Sequence, residues 1–303
     1  MAILHSFHPQ PILFQIGPVA IHWYALFIVL GIIAGLFFVL RLSKHYGFTA
    51  DDVYDLAFYL IIFSVLGARL YMILLFPDFY LSNPLEIFKV WNGGLAIHGT
   101  IFAAILTLFC YCRMKKQNFW VWGDILVVAL ALGQAIGRWG NYFNQEVYGA
   151  PTNVAWGIPI DLANRAAGFK DFEFFHPTFL YESILNLVLF FLLLSLHVYR
   201  IRKKGPGIMN QESGISPSPQ PSPRVGEGEE ERGKSKIGNW KLEIGNLSLV
   251  YLIGYSAIRI IMEQFRIDET LMVFGIRFPV LVSAGVIVVA VGLLVRRSRK
   301  RAV

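Results

Sequence analysis

Charge is what this sequence has least of. Asp, Glu, Lys and Arg make up 16% of its 303 residues, while 55% are hydrophobic and the mean hydropathy is +0.54. Ordinary soluble domains carry roughly 25% charged residues. Together with repeated apolar runs of about 20 residues, the shortage excludes a soluble domain with a large core and predicts a multispanning membrane protein. Cysteine is scarce as well. Cys110 and Cys112 are the only two, and a spacing of two points them to different sides of a helix. That implies neither a disulfide nor a metal site, and both read as inert core residues. Zinc-ligand spacing, a Gly-rich phosphate loop and a serine elbow are all missing, so metal, nucleotide and acyl-serine chemistry lack support and no cofactor is expected. Nor do the first 20 residues, with their prolines and histidines, make the basic stretch and short apolar core of a signal peptide.

What is present is a set of apolar segments at approximately 21–40, 53–75, 95–112, 120–137, 179–199, 247–265 and 277–295. The net charge of +7 does not point to nucleic acid, because the basic residues cluster at segment ends. Such clusters follow segment one (Arg41, Lys44), three (Arg113, Lys115, Lys116), five (Arg200, Arg202, Lys203, Lys204) and seven (Arg296, Arg297, Arg299, Lys300, Arg301). Under the positive-inside rule all four are cytoplasmic. The expectation is an all-α polytopic membrane protein of about seven transmembrane helices, N-terminus outside and C-terminus cytoplasmic. A single transmembrane domain then covers 1–303. It carries an interfacial arm at 81–92, an extracytoplasmic loop region at 141–178 and a disordered cytoplasmic insertion at 203–246, rich in Ser-Pro and Gly/Glu.

One stretch organises the rest: Gly137-Arg138-Trp139-Gly140-Asn141-Tyr142-Phe143-Asn144-Gln145-Glu146-Val147-Tyr148-Gly149. It follows an apolar run directly and packs an arginine, two asparagines, a glutamine and a glutamate into a few positions. If the helix continues, Arg138, Asn141 and Asn144 or Gln145 share one face. Gly133, Gly137 and Gly140 would admit a neighbouring backbone or a bulky ligand. On the expected topology, Tyr24, Arg69, His98, Gln134, Arg138, Asn141, Tyr181, Glu182, Arg259, Glu263 and Arg266 all fall toward the outer ends of their spans. Polar residues inside spans are expensive and mark function or specific pairing. Their convergence predicts one polar cavity open to the outer leaflet. Arginines there suit a phospholipid phosphate, since a guanidinium offers a planar fork of donors and keeps its charge. Histidine can take a proton from a thiol or hydroxyl. The reading is lipid chemistry, with Arg259 and Glu263 at i, i+4 also able to pair structurally.

The glycine–arginine stretch resembles the signature of bacterial prolipoprotein diacylglyceryl transferases. Other pieces agree in order: His22-Trp23-Tyr24, Gly67-Ala68-Arg69, Gly93-Gly94-Leu95-Ala96-Ile97-His98-Gly99, Trp156-Gly157-Ile158, His176-Pro177-Thr178-Phe179-Leu180-Tyr181-Glu182, and Arg259 through Glu263 to Phe265-Arg266. The resemblance implies transfer of the diacylglyceryl group of phosphatidylglycerol to the lipobox cysteine thiol of prolipoprotein signal peptides, with a thioether formed and glycerol phosphate released. It implies a bacterial inner-membrane enzyme with its site toward the outer leaflet. Arg138 and Arg259 would bind the phosphate and stabilise the leaving group, with Arg69 and Arg266 as further lipid ligands. His98 is the candidate base, or else orients a headgroup hydroxyl; a carboxylate or a water could take the proton instead. Tyr24, Asn141 and Glu146 would position lipid or order the loop, Gly149 would permit a tight turn, and Glu182 and Glu263 would be arginine partners. A lipid transporter or a non-catalytic lipid-binding protein are the competing classes. An odd span count, no repeat between halves and a polar set away from the midplane speak against the transporter, and a lipid-binding scaffold would not need the histidine and tyrosine beside the arginines.

Overall fold

The computed structural model describes residues 2–17, 19–90, 93–213, 243–268 and 270–299. In order, the elements are α1 (Ala2–Ser6), β1 (Ile12–Ile16), β2 (Val19–His22), α2 (Trp23–Ser43), α3 (Ala50–Leu75), α4 (Pro77–Ser82), α5 (Ile97–Met114), α6 (Phe119–Phe143), β3 (Ile158–Pro159) and β4 (Phe174–Phe175), then α7 (Thr178–Ser213), α8 (Asn246–Glu263), β5 (Met272–Val273), β6 (Ile276–Arg277) and α9 (Phe278–Arg299). Helix dominates, and among the described residues the strands pair as three two-stranded antiparallel sheets. Apolar residues of good helix propensity fill the long segments, and a bilayer leaves a backbone no other way to satisfy its hydrogen bonds.

Among the described residues six helices are long and apolar enough to cross a membrane: 23–46, 50–75, 97–114, 119–143, 178–203 and 278–298. The protein is a multi-pass membrane protein. The sixth of the seven expected spans, at 247–265, is a helix of 18 residues whose last turns carry Arg259 and Glu263, and it falls short on apolar character. α7 runs on through 203–213, into the stretch expected from the sequence to be an insertion at 203–246; residues 214–242 of that stretch lie outside the described residues.

Contacts divide the chain into two units. The first comprises 1–39, 123–200 and 242–303. Here α2 meets α6 through small residues: a Cβ on Gly31 would sit 3.4 Å from Gly133 Cα, and one on Gly35 would sit 3.3 Å from Ala129 Cβ. Beyond α6 the chain builds its own small core of Tyr142, Tyr148, Ile158, Ile160, Phe175 and Phe179, with Leu4, Trp139 and Ile267 packed on its edge. The β1–β2 hairpin precedes α2.

The second unit comprises 40–122 and 201–241. Thr49 and Asp52 form a reciprocal cap on α3. Gln117 donates to Asp52 at 3.1 Å and accepts from the indole of Trp122 at 2.8 Å. The α3–α5 crossing is made at Gly67 and Gly99, which lie against each other's backbone and leave no room for a Cβ on either. Cys112 is buried as expected, whereas Cys110 is exposed rather than in the core.

Candidate active site

α6 does not stop where its apolar run ends but continues to Phe143. Arg138 and Asn141 therefore share a face, and Arg138 Nη1 donates to Asn141 Oδ1 at 3.3 Å. A Cβ on Gly140 would lie 2.5 Å from Tyr24 Cδ2, so the Tyr24 ring rests on bare helix backbone. Among the described residues nothing lies within 4 Å of a Cβ placed on Gly137. The three glycines thus do three different things: Gly133 admits α2, Gly140 admits Tyr24, and Gly137 leaves space beside Arg138.

Past the helix end the chain turns on two non-glycine residues in the left-handed region, Gln145 (φ 52°) and Val147 (φ 58°). For a β-branched residue that is a strained conformation. Asn141 Nδ2 donates to Glu146 Oε1 at 2.7 Å and Asn144 Nδ2 to the same oxygen at 3.3 Å. Gln145 turns the other way, donating to Pro9 O (2.8 Å) and Asp161 Oδ2 (2.6 Å). It leaves the shared face and fastens the N-terminal segment. Gly149 does not make the turn. It is bare because His176 Cβ, Phe265 O and Thr178 Cγ2 would each stand 2.9 Å from its Cβ, and it bridges to Arg266.

Four guanidiniums and three carboxylates then form one chain. Arg138 Nε meets Glu182 Oε2 at 2.5 Å, and Glu182 Oε1 meets Arg266 Nη1 at 3.6 Å. Arg266 Nε donates to Asp268 Oδ1 at 2.8 Å, and Asp268 faces Arg277 Nη2 at 3.6 Å. Arg277 Nε donates to Glu263 Oε1 at 2.8 Å, and Glu263 Oε2 meets Arg259 Nη2 at 3.1 Å. Glu182 and Glu263 are sealed, with side-chain exposures of 3% and 0%, while Arg138 and Arg259 remain 19% and 22% open. Burial opposes the Arg266 cation, but Asp268, Glu182 and Glu263 outweigh it and raise its pKa. Burial would lift the Asp268 carboxyl, yet Arg266 and then Arg277 hold it below the usual carboxylate range.

Next to Glu182, Tyr181 Oη takes the indole proton of Trp156 at 2.8 Å and lies 3.3 Å from His176 Nδ1. The ring of Phe265 packs edge-on to both His176 and Tyr181.

The second unit holds the other two candidates. His98 is exposed in the first turn of α5, its ring 5.8 Å from that of Tyr71. Arg69, expected as a lipid ligand, is 6% exposed. Its donors go to the backbone carbonyls of Glu86, Ile87, Lys89, Gly93 and Gly94. A guanidinium has five N–H groups, so none is left over to bind an anion.

Two residues were missed in the sequence. Arg277 stood at the start of the last apolar segment and passed as its edge; an arginine at the same end as the others was the available signal. Asp124 lies inside a span, at the opposite end of α6 from Arg138. It is wholly buried and paired with Arg200 at 2.6 Å. Polar residues within the spans therefore do not all gather at one end.

Comparison with known proteins now bears on the cluster. The family model described as prolipoprotein diacylglyceryl transferase matches residues 11–210 and 234–296. The chain belongs to the prolipoprotein diacylglyceryl transferase family. Relatives named phosphatidylglycerol–prolipoprotein diacylglyceryl transferase include one from Parasynechococcus marenigrum, 41% identical over 86% of this chain and 81% of its own length. One from a Synechocystis species is 36% identical over 91% and 84%. One from Thermotoga maritima is 35% identical over 94% and 84%. The diacylglyceryl transferase match omits residues 211–233, all within the stretch the sequence marked as an insertion. It covers every residue of the ionic chain.

Proposed function

We propose that this protein transfers the diacylglyceryl group of phosphatidylglycerol to the lipobox cysteine of prolipoprotein signal peptides, at the outer leaflet of the bacterial cytoplasmic membrane. The observation that carries the reading is the asymmetry of the ionic chain: its glutamates are sealed inside, and Arg138 and Arg259 are left partly open. Among the described residues Arg138 Nη2 and Arg259 Nε and Nη1 have no protein partner. A phosphodiester is the anion those forks fit.

In the reaction the thiol loses its proton and the thiolate attacks the glycerol carbon that bears the phosphate. A C–S bond forms, the C–O bond to phosphate breaks, and glycerol phosphate leaves with an additional negative charge. Arg138 and Arg259 stabilise that developing charge, and Arg266 supports them through Glu182. Cationic donors aimed at a leaving group are commonly worth 10²–10³ in rate, about 3–4 kcal/mol. Asn141 and Glu146 order the segment beyond α6, and Tyr24, resting on Gly140, positions lipid beside Arg138. His98 is the proposed base, on the chemistry of a neutral imidazole. Seven spans, with α8 as the sixth and the N-terminus outside, remain the topology this reading uses.

The test combines purified protein, labelled phosphatidylglycerol and a synthetic lipobox peptide. The expected result is a diacylglyceryl mass gain on the peptide cysteine that falls by about 10²–10³ in Arg138→Ala. Arg138→Lys, which retains a charge for Glu182, should keep the fold and still lose most of the rate because a single ammonium cannot reproduce the fork. Folded wild-type protein that binds lipid but gives no mass gain would return the protein to the transporter class.

A further inference from the structure

Three features of the second unit meet at one joint. Gly67 and Gly99 make the backbone contact between α3 and α5. One residue on, Ala68 O accepts from Ala96 N at 3.2 Å, at the N-cap of α5. One residue further, Arg69 grips the incoming segment: Nε to Ile87 O at 3.0 Å, Nη1 to Gly93 O and Gly94 O at 2.8 and 3.0 Å, and Nη2 to Glu86 O and to Lys89 O at 3.4 Å. Its face lies over Tyr80, 5.1 Å from the ring centre. Gly93 and Gly94 are both left-handed, with φ of 85° and 71°. A Cβ on Gly94 would stand 2.5 Å from Arg69 Nη1 and 2.9 Å from Tyr80 Oη. The Gly67-Ala68-Arg69 and Gly93-to-Gly99 motifs are therefore two halves of one lock, and His98 sits inside it, between Ala96 and Gly99.

We propose that Arg69 is a positioning residue for His98, holding the carbonyls of Glu86, Ile87, Lys89, Gly93 and Gly94 and the start of α5 so that the imidazole is presented in one place. Only a guanidinium has the donors to hold five carbonyls; a lysine has three. With only 6% of Arg69 exposed, water is kept from competing for those carbonyls. The sealed charge is matched by carbonyl dipoles rather than by a carboxylate, so the grip does not depend on another group's titration. The inference rests on the reading of His98 as the base for the substrate thiol, and it gives Arg69 no contact with lipid.

The test uses full-length protein and the transfer assay, with Arg69→Lys, His98→Gln and the double variant. A misplacement of about 1 Å can cost 10²-fold in rate. The expected result is a fall of that order in kcat for Arg69→Lys, with KM for phosphatidylglycerol nearly unchanged. The double variant should be no slower than His98→Gln alone. Arg69→Lys with Arg138→Lys should instead multiply, as independent sites do. Gly94→Ala, which presses on Nη1 from the other side, should repeat the Arg69→Lys pattern. A raised KM with kcat intact would make Arg69 a lipid ligand after all. Losses that multiply fully with His98→Gln would make it a support for the fold alone. Either result overturns the proposal. If His98→Gln turns over at the wild-type rate, the base assignment fails. The lock is then judged by how fast an acylating reagent modifies His98: a changed rate in Arg69→Lys sustains it, and an unchanged rate overturns it.

Discussion

Glu182 and Glu263 each serve two arginines while hidden from solvent, so losing either carboxylate would strand two cations. Removing one partner of a buried pair commonly costs 3–5 kcal/mol. Glu182→Ala should therefore lower the melting temperature in detergent as well as the rate. Glu182→Gln, which keeps the volume, should retain more of the fold than of the activity. His176 supplies a pH test. Burial pulls its imidazole below the ordinary value of 6.5, so the unfolded chain takes up the proton before the folded protein does. Stability is then complete above about pH 6.5 and is lost as the pH falls below it. Thermal melts between pH 7 and 5 should show that decline, and His176→Gln should flatten it. Asp268, whose carboxyl is held low by Arg266 and Arg277, should give a separate loss only in stronger acid, as its carboxylate is protonated.

Among the elements, α8 begins without a side chain of its own to cap it, because its N-cap is Gly245. Asp124 of α6 does the capping from outside: it accepts from Gly245 N (2.7 Å), Ser248 N (2.8 Å) and Ser248 Oγ (2.8 Å), and from Arg200 of α7 as well. One carboxylate thus ties three helices. Asp124→Ala should destabilise the fold by about 3–5 kcal/mol, read as a lowered melting temperature, while transfer per folded molecule stays near wild type. The long helices were legible because apolar length is a strong, local signal. The cross-links were not. Nothing near Gly245 announces that a residue 121 positions earlier caps it, and Arg69 looked like a ligand because its five carbonyl partners carry no side-chain signature. At the site, Arg138 with Asn141 and Arg259 with Glu263 were readable from helical spacing. The sharing of Glu182 by Arg138 and Arg266 was not, since α6, α7 and the chain beyond α8 meet only in three dimensions. The hairpin carrying Arg277 is two residues per strand, too short for any alternating pattern to appear.

Across the whole molecule, the family match runs from residue 11 to residue 296 and is interrupted only at 211–233. Deleting 214–233 should leave the rate of diacylglyceryl transfer and the melting temperature close to those of the full chain, checked in the same peptide assay. A large loss of activity would give that stretch a role of its own. The reason for expecting tolerance lies in Asp124. Arg200, before the excursion, and Gly245, after it, are both bound to that one buried carboxylate, so the chain on either side is anchored whatever connects it. For an engineer, this makes 214–233, inside the stretch that the family match skips, a docking port: a fluorescent reporter or affinity handle spliced there would ride on a working membrane enzyme.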